Sequence, residues 1–280
     1  MDLRPQLRHG VYLPPFGPFG DPRVLVDLAK RAEAAGWDGV FLWDHVVRDA
    51  MPIADCWTTL AAMAAATQRI RLGATVTPLP RRRPWIVARQ ASTVSRLSGG
   101  RLVVGVGLGS DESGDFSSFD ESADLGTRAS MLDEGIDILR SMWSGEAVAH
   151  AGAHYRVDLP SSTPEPHPLV VWVASSARHP HVIARAAAAQ GIFAISDHTL
   201  RPDEVADIVG LMRKAGVRED RQFDVVVSGN ASAAWERPNP DGVDLNAIAD
   251  AGATWWMESL IHFDPLELSL HVVDEGPARR

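Results

Sequence analysis

The chain has 280 residues, 45 % hydrophobic and 22 % charged, with 36 acidic residues against 27 lysines and arginines. This composition is ordinary for a globular protein, and a net charge of −9 argues against a nucleic-acid surface. One cysteine, Cys56, excludes an intrachain disulfide or a thiolate zinc cluster.

Eight short apolar runs alternate with amphipathic stretches along the chain. The first, Val11–Leu13, ends in Pro14-Pro15-Phe16. Asp21-Pro22 then supplies an N-cap and a proline at the first helical position; Leu25, Leu28, Ala29, Ala32 and Ala35 mark one face, and Gly36 stops the helix. The second run, Val40–Trp43, closes on Asp44-His45. Asp55 caps a second helix whose Trp57, Leu60, Ala61 and Ala64 point inward, with Cys56 at its start as a buried structural thiol. The third run, Ile70–Val76, leads to Arg81-Arg82-Arg83 between two prolines. Three such charges make a solvated rim or a set of salt-bridge donors, with an anionic ligand or a subunit contact as the alternative. Pro84 opens a third helix to about Leu97. The fourth run, Leu102–Val106, ends in Gly107-Leu108-Gly109-Ser110-Asp111, and Thr127 starts a fourth helix striped by Leu132, Ile136, Leu139 and Trp143. Four further runs follow, Leu169–Val173, Ile192–Ile195, Phe223–Val227 and Thr254–Met257, with helices opened at Pro180, Pro202, Asp244 and Pro265.

Each run is too short for a helix and lacks in/out alternation, which suits strands buried on both faces. Eight strand–helix units predict one domain over 1–280, a closed (β/α)8 TIM barrel, whose chemistry belongs at the C-terminal ends of its strands. Two long segments interrupt the beat. Ser110–Gly126 leaves the C-terminal end of strand four and is expected to be an active-site loop; Gly145–His167 follows helix four on the opposite, structural side. No apolar run approaches the ~18 residues of a membrane span, and no basic, apolar leader opens the chain, so a cytoplasmic location is expected.

The strand ends are small or polar, and a barrel would converge them on one cavity. Asp44 and His45 are neighbours, so one should face that cavity and the other an adjacent element. A histidine there can hydrogen-bond a ligand and shuttle a proton near neutral pH, or simply cap the following loop. Gly105, Gly107 and Gly109 lead into a long acidic loop rather than a helix, so they are no dinucleotide fingerprint; they would leave room for a flat ring or relieve crowding. Ala174-Ser175-Ser176 before a proline-opened helix could cradle a phosphate, and Ser196 with His198 could complete an anion site, or these residues are surface loop. His179 and His181 flank Pro180 without a third ligand, so no metal site is expected. Trp255 and Trp256 read as core, and Glu258 at the strand end is a candidate polar contact.

Several stretches together resemble the bacterial-luciferase-like superfamily of flavin- and deazaflavin-dependent oxidoreductases. They are Ala34–His45, Ala66–Gly73 leading into Val76-Thr77-Pro78, Leu97–Leu102, Gly105–Gly109, Leu132–Gly135, Trp143–Glu146 and Ala251–Trp256. The resemblance implies a barrel whose mouth holds FMN or coenzyme F420, with His45 near the ring and Asp44 before it. It implies a non-prolyl cis peptide at Thr75–Val76 on a third-strand bulge backing the ring. Gly107, Gly109 and Ser110 would lie beside the ring, and Ala174, Ser175 and Ser176 would bind the phosphate. Family members commonly carry glycines where this chain has Ser175-Ser176, and an Asp-Gly where it has Gln190-Gly191.

The resulting expectation is a coenzyme F420-dependent hydride transfer on a small organic substrate, with Asp44, His45 and Glu258 as catalytic candidates and Ser196 among the cofactor contacts. The alternative within the family is an FMN monooxygenase using reduced flavin and oxygen. A separate flavin or deazaflavin reductase and a homodimer are the partners implied. A cofactor-free binding or assembly barrel is the alternative of another class. A Schiff-base barrel enzyme is disfavoured, because Lys30 and Lys214 are the only lysines and both fall on helices.

Overall fold

Strands that are covered on both faces must be apolar at consecutive positions, and the eight runs close into one parallel barrel. The structure is a computed structural model and describes residues 7–160, 169–176, 179–231 and 242–278. The barrel strands are β1 (Arg8–Leu13), β2 (Gly39–Leu42), β3 (Arg71–Pro78), β4 (Leu102–Gly107), β7 (Val170–Ser175), β8 (Gly191–Ala194), β9 (Asp224–Gly229) and β10 (Trp255–Ser259). Around the ring the order is β1-β10-β9-β8-β7-β4-β3-β2, every barrel pair parallel. A two-stranded antiparallel hairpin, β5 (Val148–Ala151) and β6 (Arg156–Leu159), lies outside it.

The helices are α1 (Pro22–Ala35), α2 (Cys56–Ala66), α3 (Pro84–Leu97), α4 (Leu125–Ser144), α5 (Pro180–Ala187), α6 (Pro202–Lys214), α7 (Leu245–Asp250) and α8 (Leu266–Glu275). Their starts follow the capping chemistry of the sequence. The carboxylates of Asp21, Asp55 and Asp244 accept first-turn amide hydrogens of α1, α2 and α7. The fourth helix departs from expectation by two residues. Asp124 accepts from the Thr127 amide at 2.7 Å, so Thr127 is the third residue of the helix rather than its start. Gly36 and Gly145 end α1 and α4 at φ +88° and +83°, a left-handed geometry that glycine adopts without Cβ strain.

The barrel interior is small and dry. Phe41, Val103, Trp172, Phe193, Val226, Trp255 and Met257 fill it and are all but inaccessible to solvent. Phe41 stacks on Trp172 at 5.2 Å and meets Trp255 edge-on at 5.5 Å. A Cβ on Gly39 would lie 2.3 Å from the Phe41 ring, so a glycine there is what lets the ring turn inward. Below this layer, Asp224 accepts from the Trp172 indole at 3.1 Å and pairs with Arg8, which covers the Trp255 ring from the N-terminal side. The opposite end, at the strand C-termini, stays open.

The segment after α4 is structural in its described part. Glu134 on α4 accepts the amides of Ala153, His154 and Tyr155 at the tip of the β5–β6 hairpin, and His150 approaches the same carboxylate at 3.0 Å. Residues 161–168 of that segment lie outside the described residues. No helix among the described residues is long and apolar enough to cross a membrane.

Candidate active site

At the open end lies a cavity of about 640 Å³, reached from β1, β2, β3, β4 and β7 and the loops that follow them. Its floor is the top of the dry interior, where Tyr12, Val76 and Ala174 pack on the core residues. Beside them, β3 bulges. The β3–β4 register shifts between Ala74 and Thr77, and the Thr75–Val76 peptide is cis, as the family resemblance implies. The neighbouring glycines belong to this bulge. A Cβ on Gly107 would lie 2.9 Å from Val76, and one on Gly105 2.4 Å from the Ala74 carbonyl oxygen. The space expected to admit a flat ring is at Gly105 taken by the protein's own backbone.

Polar groups on this floor lack protein partners. Thr75 Oγ1 and Trp43 Nε1 are buried without a hydrogen bond among the described residues. Tyr12 lines the same cavity, and burial raises its phenol well above the ordinary value, so it stays a neutral O–H donor. Tyr12 and Trp43 are 5.4 Å apart, ring to ring. Each unsatisfied buried donor or acceptor carries a cost that a polar ligand would remove.

β2 ends at Leu42, so Trp43, Asp44 and His45 fall on the loop above it. Asp44 and His45 part company there. Asp44 is buried and bound by two guanidiniums: Arg82 at 2.6 and 2.8 Å, and Arg81 at 3.1 Å. Arg81 also donates to the Asp44 carbonyl oxygen at 2.8 Å. Its other terminal nitrogen approaches Asp115 Oδ1 at 3.0 Å as an ion pair rather than an aligned hydrogen bond. Of the three consecutive arginines, Arg81 and Arg82 are therefore salt-bridge donors; Arg83 sits over Trp85 at 6.0 Å. With three arginine hydrogen bonds on its carboxylate, Asp44 serves as the counter-ion of this set, while it also borders the mouth cavity beside His45. Cys56 borders the same buried charges. Burial, then the Asp44 charge, pushes its thiol well up, which keeps it inert.

His45 lines the cavity, and its Nδ1 lies 2.5 Å from Asp115 Oδ2. Its ring edge meets Phe16 at 5.6 Å and Trp43 at 6.0 Å, while Nε2 has no partner among the described residues. Asp115 comes from the long loop after β4. The same loop is tied down by Asp111, which accepts the Phe116 and Ser117 amides, and by Arg128 of α4, which donates to the Gly109 carbonyl at 3.1 Å. Nothing in the residue pattern marks Asp115. It is one of six acidic residues between positions 111 and 124, and only the fold singles it out. Tyr12, Trp43 and Arg48 were missed for a similar reason, since a lone aromatic or arginine beside a strand end carries no pattern.

The other candidates divide. Thr75, Val76, Gly107, Gly109, Ser110, Ala174, Ser175 and Ser176 all border the mouth cavity. Ser196 does not; it borders a second cavity of about 600 Å³ between α5 and α6, which shares Ser175, Ser176 and Ile195 with the first. There its hydroxyl meets His198 Nδ1 at 3.0 Å. Glu258 is a correction. It shares the outer face of β10 with Trp256, and its carboxylate accepts from the Trp256 indole at 2.9 Å and the Ala231 amide at 3.0 Å. It is absent from the cavity wall, and the inward positions of β10 are Trp255 and Met257.

Residues 5–239 match the luciferase-like monooxygenase family, and the chain belongs to it. It is 31 % identical over 214 residues to an F420-dependent glucose-6-phosphate dehydrogenase of Intrasporangium calvum, a match covering 71 % of this chain and 63 % of that protein. The chain spans between about half and just under two thirds of the length of the first curated relatives it matches. Among solved structures, it resembles an F420-dependent secondary alcohol dehydrogenase in complex with an F420–acetone adduct (TM-score 0.76, 16 % identity, covering 96 % of this chain and 98 % of that one). It also resembles a monooxygenase from Streptomyces bottropensis (TM-score 0.74, 22 % identity, covering 95 % and 96 %). At these identities the two solved structures establish likeness of fold.

Proposed function

We propose that this protein is an oxidoreductase that holds coenzyme F420 in the barrel mouth and moves a hydride between it and a small organic substrate. One observation carries the reading: an imidazole nitrogen without a partner among the described residues sits at a cavity whose floor presents donors and acceptors likewise unpartnered among them. Those orphaned groups fit a polar heterocycle, and the β3 bulge offers a backing for its plane. The name of the Intrasporangium calvum relative supports F420 over FMN.

In this reading Thr75, Val76 and Gly107 support the ring from below, Gly109 and Ser110 border it, and Ser175 and Ser176 face the phosphate. When bound, the cofactor supplies the two-electron chemistry. The chain's own tasks are to bind, to exclude water through the Ser110–Gly126 loop, and to handle a proton at His45 Nε2. Tyr12 donates its phenolic hydrogen to whatever polar edge lies on the floor. A cytoplasmic homodimer, with a separate reductase to recycle the cofactor, belongs to the same reading.

Fluorescence titration of the purified protein with F420 and with FMN tests it. Saturable binding of F420 in preference to FMN is expected. Preference for FMN would turn the reading to a monooxygenase, and binding of neither would leave a cofactor-free barrel in its place.

A further inference from the structure

We propose that Asp115 is the positioning residue that fixes the His45 imidazole with its hydrogen on Nδ1 and its basic nitrogen, Nε2, toward the mouth. The catalytic use of that base rests on the oxidoreductase reading above; the placement of the hydrogen does not.

The two oxygens of Asp115 have separate work. Oδ1 accepts the Val46 amide at 2.8 Å and the Val47 amide at 3.1 Å, and faces Arg81 at 3.0 Å. Oδ2 is left to His45 Nδ1. Burial opposes the Asp115 charge, but the hydrogen bonds from His45 and Val46, with the charges of a protonated His45 and of Arg81, outweigh it and hold the carboxyl below its usual range. An ionised carboxylate only accepts, so Nδ1 must carry the hydrogen and the neutral ring keeps a lone pair on Nε2. The packing of Phe16 and Trp43 against the ring fixes its plane. Charged and titratable groups meet His45 from four sides. Asp115 and Glu112 come from the loop after β4, Arg81 from the turn after β3, Asp44 and Arg48 from its own loop, and His262 from the segment after β10.

The step this permits is the oxidation of a carbinol. Nε2 would take the proton that the hydroxyl loses as the carbon–oxygen double bond forms, and the bound cofactor would supply the two-electron acceptor for the hydride. In the reverse direction the protonated Nε2 returns that proton to the alkoxide oxygen.

Asp115 also holds two backbone amides, so a purely structural role is the rival reading. Asp115→Asn separates the two. The Val46 and Val47 amides still require an acceptor at the Oδ1 position, so the carboxamide oxygen takes that place and the amide NH2 faces His45. A donor facing Nδ1 forces the hydrogen onto Nε2. The loop keeps its bonds, and the base toward the mouth is lost.

Nitrogen-15 NMR of the His45 imidazole, in the full-length protein without cofactor, reads this directly. At a pH where the ring is neutral, the wild type should show Nδ1 protonated and Nε2 bare, and Asp115→Asn the reverse. Carbethoxylation by diethyl pyrocarbonate, mapped by mass spectrometry, gives a second readout. Labelling of His45 should slow by about tenfold or more in Asp115→Asn, the tautomer shift one charge-assisted hydrogen bond can impose, with labelling of the exposed His179 and His181 unchanged. A wild-type ring carrying its hydrogen on Nε2 would overturn the proposal whether or not the variant folds. So would an Asp115→Asn protein with the wild-type tautomer and labelling rate. A failed F420 titration would instead remove the redox reading and leave these two readouts to decide Asp115, so the failures are distinguishable.

Discussion

Gly105 on β4 faces Ala74 on β3 so closely that a Cβ at position 105 would lie 2.4 Å from the Ala74 carbonyl oxygen. Backbone cannot yield as the tip of a flexible side chain can, so the bulge of β3 requires glycine on its neighbour. Gly105→Ala should destabilise the protein by about 1–3 kcal/mol, the usual cost of overpacking. Gly210, inside α6 with no atom within 4 Å of its would-be Cβ, is the counter-case. There alanine should add roughly 0.5–1 kcal/mol by helix propensity. Urea midpoints compare the two directly, and equal shifts would contradict the close approach.

Asp44 neutralises two half-buried arginines, and removing it leaves both charges without their principal partner. Asp44→Ala should cost about 3–5 kcal/mol, the range for breaking a buried ion pair. Chemical denaturation checks this; a variant as stable as the wild type would mean that the arginines find water instead.

His45→Ala tests the proton-handling role. Turnover should fall by about 10²–10⁴, the span of a general acid–base contribution, while the F420 dissociation constant moves little. If turnover survives intact, His45 has no part in the chemistry.

The carboxylate of Glu33 on α1 accepts the amides of Gln68, Arg69 and Ile70 at the entry to β3. Burial disfavours its charge, but the Ile70, Arg69 and Gln68 amides prevail, and the group titrates below its ordinary value. A carboxyl depressed in the folded state adds stability above its unfolded pKa, about 4.3 for Glu, and that stability is lost as pH falls through the lower folded value. Glu33→Gln should therefore be less stable than the wild type at pH 7 and approach it under acid. Thermal unfolding across pH 2–7 would show convergence at the acid end, and parallel curves would refute the assignment.

Much of the barrel was legible because its signals are local. Near-continuous apolar runs mark strands buried on both faces, and Asp21, Asp55 and Asp244 mark helix starts through bonds that reach two or three residues along the chain. Strand ends were less so. β3 was expected to stop at Val76, yet it runs to Pro78, because the bulge restores pairing at Thr77–Val106 and Pro78–Gly107. The face that Glu258 takes is not legible, since Trp255 and Trp256 look alike in sequence. The register that turns Trp255 inward sends Trp256 and Glu258 to the helix side. Asp115 was illegible because its partner is 70 residues away and its own loop is crowded with identical chemistry.

The charges shared by Asp44, Arg81, Arg82 and Asp115 bind three separate connections, those leaving β2, β3 and β4, into one electrostatic unit. Transplanting any one of these connections from another barrel would strand a charge in the other two. Redesign of the mouth for new substrates must therefore exchange all three together, or confine itself to the side formed by β7 and β8.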